Sequence, residues 1–302
     1  MRRDLEERKP HGSEGFAFQA YNTAVVQSRT NFVASHWHDE IEIIQMLYGQ
    51  ADLVVEGKLY QMKAGELWFC NPREIHQISN EIEQGGYQSM VFSLDVLGNI
   101  LEDSDSAAYL SSIREKWNFP RRISTKEEDW GNYSKLVSRI CDLYVRKPIA
   151  WKMEIRAALT LLIVELLRNQ RFVLKEENVW RERSQMSEHL RTLLHYIVEH
   201  YGERITLEEA AGIVHLSPRY FCTFFHDNFH MSFVSYLNRY RIEQACTLLN
   251  MGEYTVTEVA MRVGFDNISY FIRKFREMQG CTPTEYRKRN EKLSGKRKTN
   301  EP

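Results

Sequence analysis

An internal repeat in the last third of the 302-residue chain constrains its fold more than any other feature. The segment ITLEEAAGIVHLSPRYFCTFF, residues 205–225, aligns with YTVTEVAMRVGFDNISYFIRKF, residues 254–275. Five positions of the first copy recur 49 residues later with the same or a similar residue type. The second copy then has one inserted residue, after which three aromatic positions recur 50 residues later. A single insertion between two flanks that stay in register indicates two copies of one structural unit.

Each copy begins with the sequence signature of a capped helix. Thr206 and Glu209 in the first copy, and Thr255 and Glu258 in the second, have the spacing of a capping box. In this motif the Thr hydroxyl accepts a hydrogen bond from the Glu backbone N–H, and the Glu carboxylate accepts one from the Thr backbone N–H. The pattern therefore predicts a short helix at the start of each copy.

A second helix is predicted after a tight turn in each copy. Ser217 is a favourable N-cap residue, and Pro218 suits the first helical position. In the second copy the capping residue is Asp266 or Asn267. A helix, a tight turn and a capped second helix make a helix-turn-helix unit. We expect these units at about residues 206–227 and 255–277.

The second helix of each unit is predicted to have an apolar face and an outward face. An outward Arg can bond guanine through two hydrogen bonds, and a Thr or apolar side chain can contact a thymine methyl group. The alternative is that the outward residues only face solvent. Inward packing is predicted for Phe221, Phe224, Phe225, Phe271 and Phe275. The outward positions are Arg219, Cys222, Thr223, His226, Ile268, Ser269, Ile272, Arg273 and Arg276.

The segment between the copies predicts a rigid spacer. Residues 233–250 form an amphipathic pattern of about 17 helical residues, or about 25 Å at 1.5 Å per residue. A helix of this length can set two recognition helices about one DNA turn apart, roughly 34 Å.

Residues 190–288 resemble the DNA-binding domain of AraC/XylS-type transcription regulators. The segment GFDNISYFIRKFREMQGCTPTEYRK resembles the signature of that family, including Gly280 and Pro283. Two positions depart from the family pattern, since His215 stands where Gly is frequent and His226 where Lys or Arg is common. The second departure is expected to weaken a backbone contact made by the first unit.

The resemblance implies a function and a set of DNA contacts. It implies double-stranded DNA and RNA polymerase as partners, a homodimer, and a small-molecule effector, for which a sugar or related metabolite is a guess from the family. Carried over by position, the base-reading residues are Arg219, Cys222, Thr223, Ile268, Ser269, Ile272 and Arg273. The residues expected to contact phosphate are Ser217, His226, Asn267, Lys274 and Arg276.

Residues 16–93 predict a different architecture. Short apolar runs broken by Gly57 and Gly65 indicate several strands of an antiparallel barrel or jelly roll. The pattern His36-x-His38-x3-Glu42 resembles the first metal-binding motif of cupins, and His76, eleven residues after Gly65, fits the second motif. The second motif is partly degenerate, because the usual Pro and Gly positions hold Asn71 and Arg73.

The His and Glu residues of these motifs leave three interpretations open. Three imidazoles and one carboxylate can bind Zn, Fe, Mn or Ni. Without a metal, the same groups can hydrogen-bond a polar effector, or they can form a structural cluster. We expect a metal-free effector pocket, with no cofactor. Its residues are His36, His38, Glu42, Tyr60, Trp68 and His76, and the alternative metal ligands are His36, His38, Glu42 and His76.

These patterns predict an α+β chain of two domains, with an N-terminal cupin-like β-barrel followed by helices and a C-terminal all-α domain that contains the two helix-turn-helix units. The stripe ALTLLIVELL suits either a dimer face or a buried core. The predicted boundaries are 1–93 for the effector-sensing barrel, 94–170 for a helical cap and dimerisation region, 171–187 for a linker, 188–290 for the DNA-binding domain and 291–302 for a disordered basic tail.

Composition excludes some classes of protein. The hydrophobic fraction of 43% suits globular domains, and the net charge of -1 indicates no general attraction to nucleic acid or membrane. The charged N-terminus has no signal-peptide pattern, and the most apolar stretch, residues 157–167, is shorter than the about 20 residues of a membrane span. The five cysteines are scattered, which favours a reducing cytoplasm.

Three functions are compatible with these features. The first is a ligand-responsive, sequence-specific DNA-binding regulator. The second is a cupin metalloenzyme with an appended DNA-binding module. The third is a constitutive regulator whose barrel only dimerises. The repeated helix-turn-helix unit argues against a plain enzyme, so we expect the first.

Overall fold

The computed structural model describes residues 15–22, 33–79, 85–101, 104–175 and 177–289, without the side chains of 98–101, 104 and 177–187. The chain divides into two compact units, and the basic tail predicted at 291–302 lies outside the described residues. The first unit takes in 1–27, 36–76 and 80–185, and the second takes in 28–35, 77–79 and 186–302.

The N-terminal part of the chain is rich in sheet, as predicted. The strands are β1 Phe18–Asn22, β2 Val33–His36, β3 Ile41–Tyr48, β4 Gln50–Val55, β5 Lys58–Lys63, β6 Leu67–Cys70, β7 His76–Ser79, β8 Gly86–Phe92, β9 Trp117–Asn118, β10 Arg122–Ile123 and β11 Val173–Leu174. A five-stranded sheet has the order β1-β8-β3-β6-β10, a four-stranded sheet has the order β2-β7-β4-β5, and β9 pairs with β11.

The side chains of the central strand β3 alternate between the two faces of the five-stranded sheet, and the two faces have different surroundings. Ile41 and Ile43 belong to a hydrophobic core that also contains residues of three helices. Because successive side chains of a strand point to opposite faces, Glu42 and Ile44 lie on the other face. The helices are α1 Ser104–Glu115, α2 Trp130–Arg146 and α3 Trp151–Arg168, and a 3-10 helix spans Leu94–Leu101.

The apolar stripe of α3 is buried within its own unit. Leu159, Leu162, Ile163 and Leu166 are all part of the core behind the five-stranded sheet. Of the two interpretations of this stripe, the structure therefore supports core packing, and the stripe gives no support to a dimer face.

The region 94–170 is less purely helical than the sequence analysis expected. The two-residue strand β10 extends the five-stranded sheet, with Arg122 opposite Trp68 and Ile123 opposite Leu67. Ile123 is fully buried there. A strand of two residues is too short to produce a periodic pattern, so only the partner strand β6 reveals it.

The segment 171–187, expected to be a linker, contains regular structure. Strand β11 lies within it, and helix α4, Glu177–His200, begins within it. Its polar composition suggested a connection, but Glu, Arg and Gln are also good helix formers. The polar segment is therefore largely the first half of a long helix.

The C-terminal part of the chain is helical, as predicted. Helix α7 has 19 residues and is about 28 Å long at 1.5 Å per residue, close to the predicted spacer. After α4 the helices are α5 Leu207–Ile213, α6 Pro218–Phe229, α7 Phe233–Met251, α8 Val256–Arg262 and α9 Ile268–Gln279. Among the described helices, none combines the length and the apolar character needed to cross a membrane.

The predicted capping residues are confirmed in both helix-turn-helix units. Thr206 and Glu209 form the full capping box of α5, and Thr255 and Glu258 form that of α8. Ser217 accepts a hydrogen bond from the backbone of Tyr220 and caps α6. Of the two candidates in the second copy, Asn267 is the cap of α9, and it accepts a bond of 2.9 Å from the backbone N–H of Tyr270.

The turns of the two helix-turn-helix units have the same backbone conformation at their central residue but use different residue types there. Both turns place their central residue in the left-handed region, His215 at φ 56° and Gly264 at φ 85°. A Cβ on Gly264 would lie 2.5 Å from the carbonyl oxygen of Tyr201 and 2.8 Å from the guanidinium of Arg241. Glycine is therefore required at position 264 by both conformation and space.

Substitutions at the central residues of the two turns are predicted to have opposite effects on the stability of the protein. Gly264→Ala should lower the free energy of unfolding by about 1–2 kcal/mol or more, because it adds left-handed strain and a backbone clash. His215→Gly should raise it by about 0.5–1 kcal/mol, since relief of strain exceeds the added chain entropy of Gly. Gly212→Ala is the control: it lies in α5 with no atom within 4 Å of the added Cβ, so stability should stay equal or rise. Urea denaturation measures all three, and equal effects of the two Ala variants would contradict this account.

The helical part of the second unit is expected to fold without the rest of the chain. It contains a core cluster with Phe271 and Phe275, and Leu193, Phe225 and Phe229 are also almost completely buried. A fragment of residues 184–302 should therefore show helical circular dichroism and one cooperative thermal transition. An unfolded fragment would move the domain boundary toward residue 177, where α4 begins.

Candidate functional site

The first candidate DNA-contacting surface is the exposed face of α6. Phe221, Phe225 and Phe229 recur every four residues and are buried, which sets the rotation of the helix about its axis. The opposite side is open to solvent. It carries the predicted residues Ser217, Arg219, Cys222, Thr223 and His226, all of them exposed.

Helix α9 presents the second candidate surface. Phe271 and Phe275 are buried in the core of the second helix-turn-helix unit. The predicted residues divide by exposure. Asn267, Ser269, Arg273 and Arg276 are exposed, whereas Ile268, Ile272 and Lys274 are half-buried.

Two of the half-buried residues already have protein contacts. Ile272 packs against the hydrophobic core of its unit, and the Lys274 ammonium lies 2.9 Å from the Glu277 carboxylate. These contacts leave Arg273 and Arg276 as the most available cations of α9.

Tyr270 makes two side-chain contacts that the sequence analysis did not predict. Its hydroxyl accepts a hydrogen bond of 3.1 Å from the side-chain amide of Asn238 in α7. The guanidinium of Arg273 lies 5.2 Å from the centre of the Tyr270 ring, within the range of a cation–π interaction. The i, i+3 spacing of Tyr270 and Arg273 could have indicated this contact.

The predicted effector residues fall into two groups. The first is a cluster of His36, His38, Glu42 and His76, whose ligand atoms all lie within 4.8 Å of one another. His36 ends β2, Glu42 lies on β3 and His76 begins β7. The backbone N–H of Arg73 donates to the His38 carbonyl at 2.8 Å, which joins the two chain segments that carry the histidines.

Glu42 is the charged centre of this cluster. Its carboxylate lies 3.0 Å from His76 Nε2 and 3.7 Å from His38 Nε2. Burial raises the pKa of Glu42, but hydrogen bonds from His38 and His76 outweigh burial and hold the pKa well below its usual value. Burial lowers the pKa of His76, and the hydrogen bond and charge of Glu42 reverse that effect and raise the pKa. Both directions favour the charged form of each group, the carboxylate of Glu42 and the imidazolium of His76.

Tyr60 and Trp68 form the second group. Their ring centres are 5.4 Å apart, and the Trp68 indole N–H donates to Glu66 at 3.1 Å. Opposite Glu42 on β3 stands Cys70, and Trp68 precedes Cys70 by two residues on the same face of β6. Two residues of a strand span about 7 Å, so Trp68 lies about that far along the strand from Cys70, the residue opposite Glu42.

A cavity of about 320 Å³ lies elsewhere in the first unit. None of the six predicted effector residues lines it. Its volume falls within the range of small-molecule sites, so it is a second candidate effector site that the sequence did not indicate. Its walls include Asp39, Asn71, Ile113, Trp117, Phe119 and Lys175.

The histidine cluster also fits a metal ion, which cupin-like sequence motifs imply. Three imidazoles and a carboxylate are a donor set of divalent transition metals. His38, Glu42 and His76 are buried, and His36 is half-buried. The residues that would hold an ion are therefore the four named as alternative ligands, and an ion there would supply a positive charge to neutralise Glu42.

Two family models match the chain in the order of its two units. A model described as an AraC-like ligand binding domain matches residues 26–126. A model described as a helix-turn-helix domain matches residues 210–289. The first match includes the histidine cluster, and the second includes α6 and α9.

Curated relatives carry regulator names. The HTH-type transcriptional regulator YdeC of Bacillus subtilis strain 168 is 28% identical over 291 residues, which cover 95% of this chain and 97% of the relative. The regulatory protein PocR of Salmonella typhimurium is 34% identical over 98 residues, 32% of each chain.

Solved structures with similarity to the chain include one domain and one longer protein. The C-terminal domain of the response regulator yesN from Fusobacterium nucleatum is 34% identical, covers 33% of this chain and 98% of that chain, and has a TM-score of 0.32. ToxT from Vibrio cholerae O395 is 12% identical, covers 91% of this chain and 98% of that chain, and has a TM-score of 0.44. From the two domain matches and the regulator relatives, the chain is a transcriptional regulator with an AraC-like ligand-binding domain before a helix-turn-helix domain.

Proposed function

We propose that this regulator binds specific DNA sequences and changes its activity when a small molecule binds its sheet-rich unit. The observation that carries the proposal is the pair of capped helices, α6 and α9, each with a buried aromatic face and an exposed polar face. A helix packed in this way presents the same side chains to the major groove each time it docks.

The two proposed recognition faces differ in chemistry. Arg219, Cys222 and Thr223 contact bases from α6, whereas Ser269 and Arg273 do so from α9, flanked by Ile268 and Ile272. Because the faces are unlike, one chain is expected to read a non-palindromic element. Exposed Arg276 and His226, with the N-caps Ser217 and Asn267, contact phosphates. Lys274 has a weaker claim to this role, because Glu277 neutralises it.

The effector site we propose is the histidine cluster with its aromatic neighbours Tyr60 and Trp68. Support comes from the burial of a charged carboxylate, which is costly and is seldom retained without a role. A sugar or related metabolite is the guess for the effector. RNA polymerase and a second copy of the chain are the proposed protein partners, and regulation rather than catalysis is the proposed activity.

Arg273 is expected to carry the most sequence specificity. Its guanidinium is exposed, it lies over the Tyr270 ring, and its planar fork suits guanine O6 and N7. Arg273→Ala should cost about 1–3 kcal/mol on the preferred site and relax the preference at one base pair. Arg276→Ala should weaken all sequences alike and reduce the salt slope by about one unit.

Titration of each variant on the preferred site and on single-base variants, at two salt concentrations, separates these outcomes. Arg146→Ala is the matched control, since it removes an exposed arginine of the first unit, paired with Asp142, and should leave DNA binding unchanged. A uniform loss of affinity in Arg273→Ala would identify Arg273 as a phosphate contact instead.

The effector site is tested by comparing the cluster with the cavity. A metabolite that binds only the folded protein at 100 times its dissociation constant should add about 2.7 kcal/mol of stability. His38→Ala should abolish this thermal shift and the response on DNA, while DNA affinity without effector survives. Lys175→Met, on the cavity wall, should retain both. The reverse result would place the effector in the cavity.

A further inference from the structure

We infer that the cavity of about 320 Å³ in the first unit binds a small organic anion, whose apolar body packs on the core and whose carboxylate lies beside Lys175 and Arg114. The residues that line the cavity do not include the histidine cluster, so this is a second small-molecule site beyond the proposed effector site. Binding there needs neither DNA nor an intact histidine cluster, and the two sites can therefore be tested separately.

The cavity lies at one end of the five-stranded sheet, on the face that packs against helices. Ile41 begins β3 and stands opposite Phe92, the last residue of β8, and both residues line the cavity. Ile41 also belongs to the core shared with the helices, whereas Glu42 points to the other face because neighbouring side chains of a strand alternate. The sheet itself therefore separates the cavity from the histidine cluster.

The inner wall of the cavity is apolar. A dry, engineered cavity of about 150 Å³ with apolar walls is large enough to bind benzene. About twice that volume accommodates a ring or a short chain together with a polar head group. The buried apolar residues of the wall are Ile41, Phe92, Leu94, Ile113 and Phe119, and the half-buried Trp117 packs against the same core.

A connected row of polar groups lines one side of the cavity. The Ser93 hydroxyl donates to the Asp95 carboxylate at 3.1 Å, and the Arg114 guanidinium donates to the same carboxylate at 2.6 Å. The ammonium of Lys175 donates to the backbone carbonyl of Arg114 at 2.7 Å. All four residues line the cavity, so two cations and one carboxylate meet beside its apolar wall.

The charge of Lys175 is the one that a bound anion would balance. Asp95 is paired with Arg114, and Asp39, which also lines the cavity, is paired with Arg73. Among the residues that the structure describes, no carboxylate forms an ion pair with Lys175. Burial lowers the pKa of the half-buried Lys175 ammonium, since it disfavours the charged form. An opposite charge within about 4–6 Å favours the charged form and offsets this cost.

The donors at this side of the cavity suit a carboxylate better than other head groups. An ammonium has three N–H donors and a guanidinium has five, so Lys175 and Arg114 retain donors beyond the bonds described. A cationic head group would have to displace an arginine from Asp95 or Asp39. A neutral head group would leave the charge of Lys175 without compensation. A carboxylate accepts hydrogen bonds only and carries the complementary charge.

The test uses the full chain without DNA and measures binding by isothermal titration calorimetry and by thermal unfolding. The ligands are phenylacetate, 3-phenylpropanoate and hexanoate, each compared with its primary amide. We expect a carboxylate of this series to bind one site per chain and to raise the unfolding temperature. Its amide should bind at least about tenfold more weakly, because it forms no charge-assisted hydrogen bond with Lys175. Inorganic phosphate, which has the charge but no apolar body, should not compete.

Four variants locate the bound carboxylate. Lys175→Met removes the ammonium and should weaken carboxylate binding at least about tenfold, with little effect on the amide. Asp95→Asn should strengthen carboxylate binding, because it removes a negative charge and releases the Arg114 guanidinium. Lys126→Met is the matched control: it changes an exposed lysine outside the cavity and should bind like the wild type. His38→Ala should also retain carboxylate binding.

Three results would overturn the inference. The first is the absence of binding by all three carboxylates at millimolar concentration. The second is equal affinity for a carboxylate and its amide, or equal affinity of the wild type and Lys175→Met. The third is carboxylate binding that is lost in His38→Ala, which would assign the ligand to the histidine cluster. If Lys175→Met fails to fold, the carboxylate–amide comparison and Asp95→Asn decide. An effector response that survives in Lys175→Met would leave the proposed function intact while this inference fails.

Discussion

The burial of phenylalanines on one side of α6 and of α9 determines which side chains these two helices expose. Phe225 in α6 and Phe275 in α9 are completely buried, and each removes enough apolar surface to contribute about 1.5–3 kcal/mol. A rotation of either helix would expose these rings, so the opposite face stays directed outward. The outward direction of Arg219 and Arg273 is thus a consequence of core packing, to which the Tyr270 ring adds one contact with Arg273.

One face of the five-stranded sheet buries apolar side chains, and the other face buries a charged side chain. One face, with Ile41 and Ile43, packs on helices and is stabilised by loss of apolar surface. The other face holds Glu42 in a buried position, where a charge is costly unless it is paired. The pleat of a strand allows both, because neighbouring residues point in opposite directions. A rigid apolar face thus supports a buried polar cluster on the other side of the sheet.

Local features were predictable wherever one chain segment contains the whole interaction. The capping box of Thr255 and Glu258 needs only four consecutive residues, and the structure contains it. Strand β10 was not predictable, because its two residues become a strand only beside β6. The first half of the helix at Glu177–His200 was not predicted to be helical, since polarity alone does not distinguish a polar helix from an irregular connection. The cavity beside Trp117 and Lys175 joins distant segments and left no local pattern.

The sequence by itself determined the two helix-turn-helix units, the sheet-rich first half and the four residues of the histidine cluster. Those features depend on periodicity, capping and short spacing, which a single segment encodes. Only the tertiary structure decided that the α3 stripe is core, that Tyr270 lies under Arg273, and that His38 and His76 direct Nε2 toward Glu42. Each of these depends on a distance or an orientation between side chains, and the folded packing of helices and strands sets both.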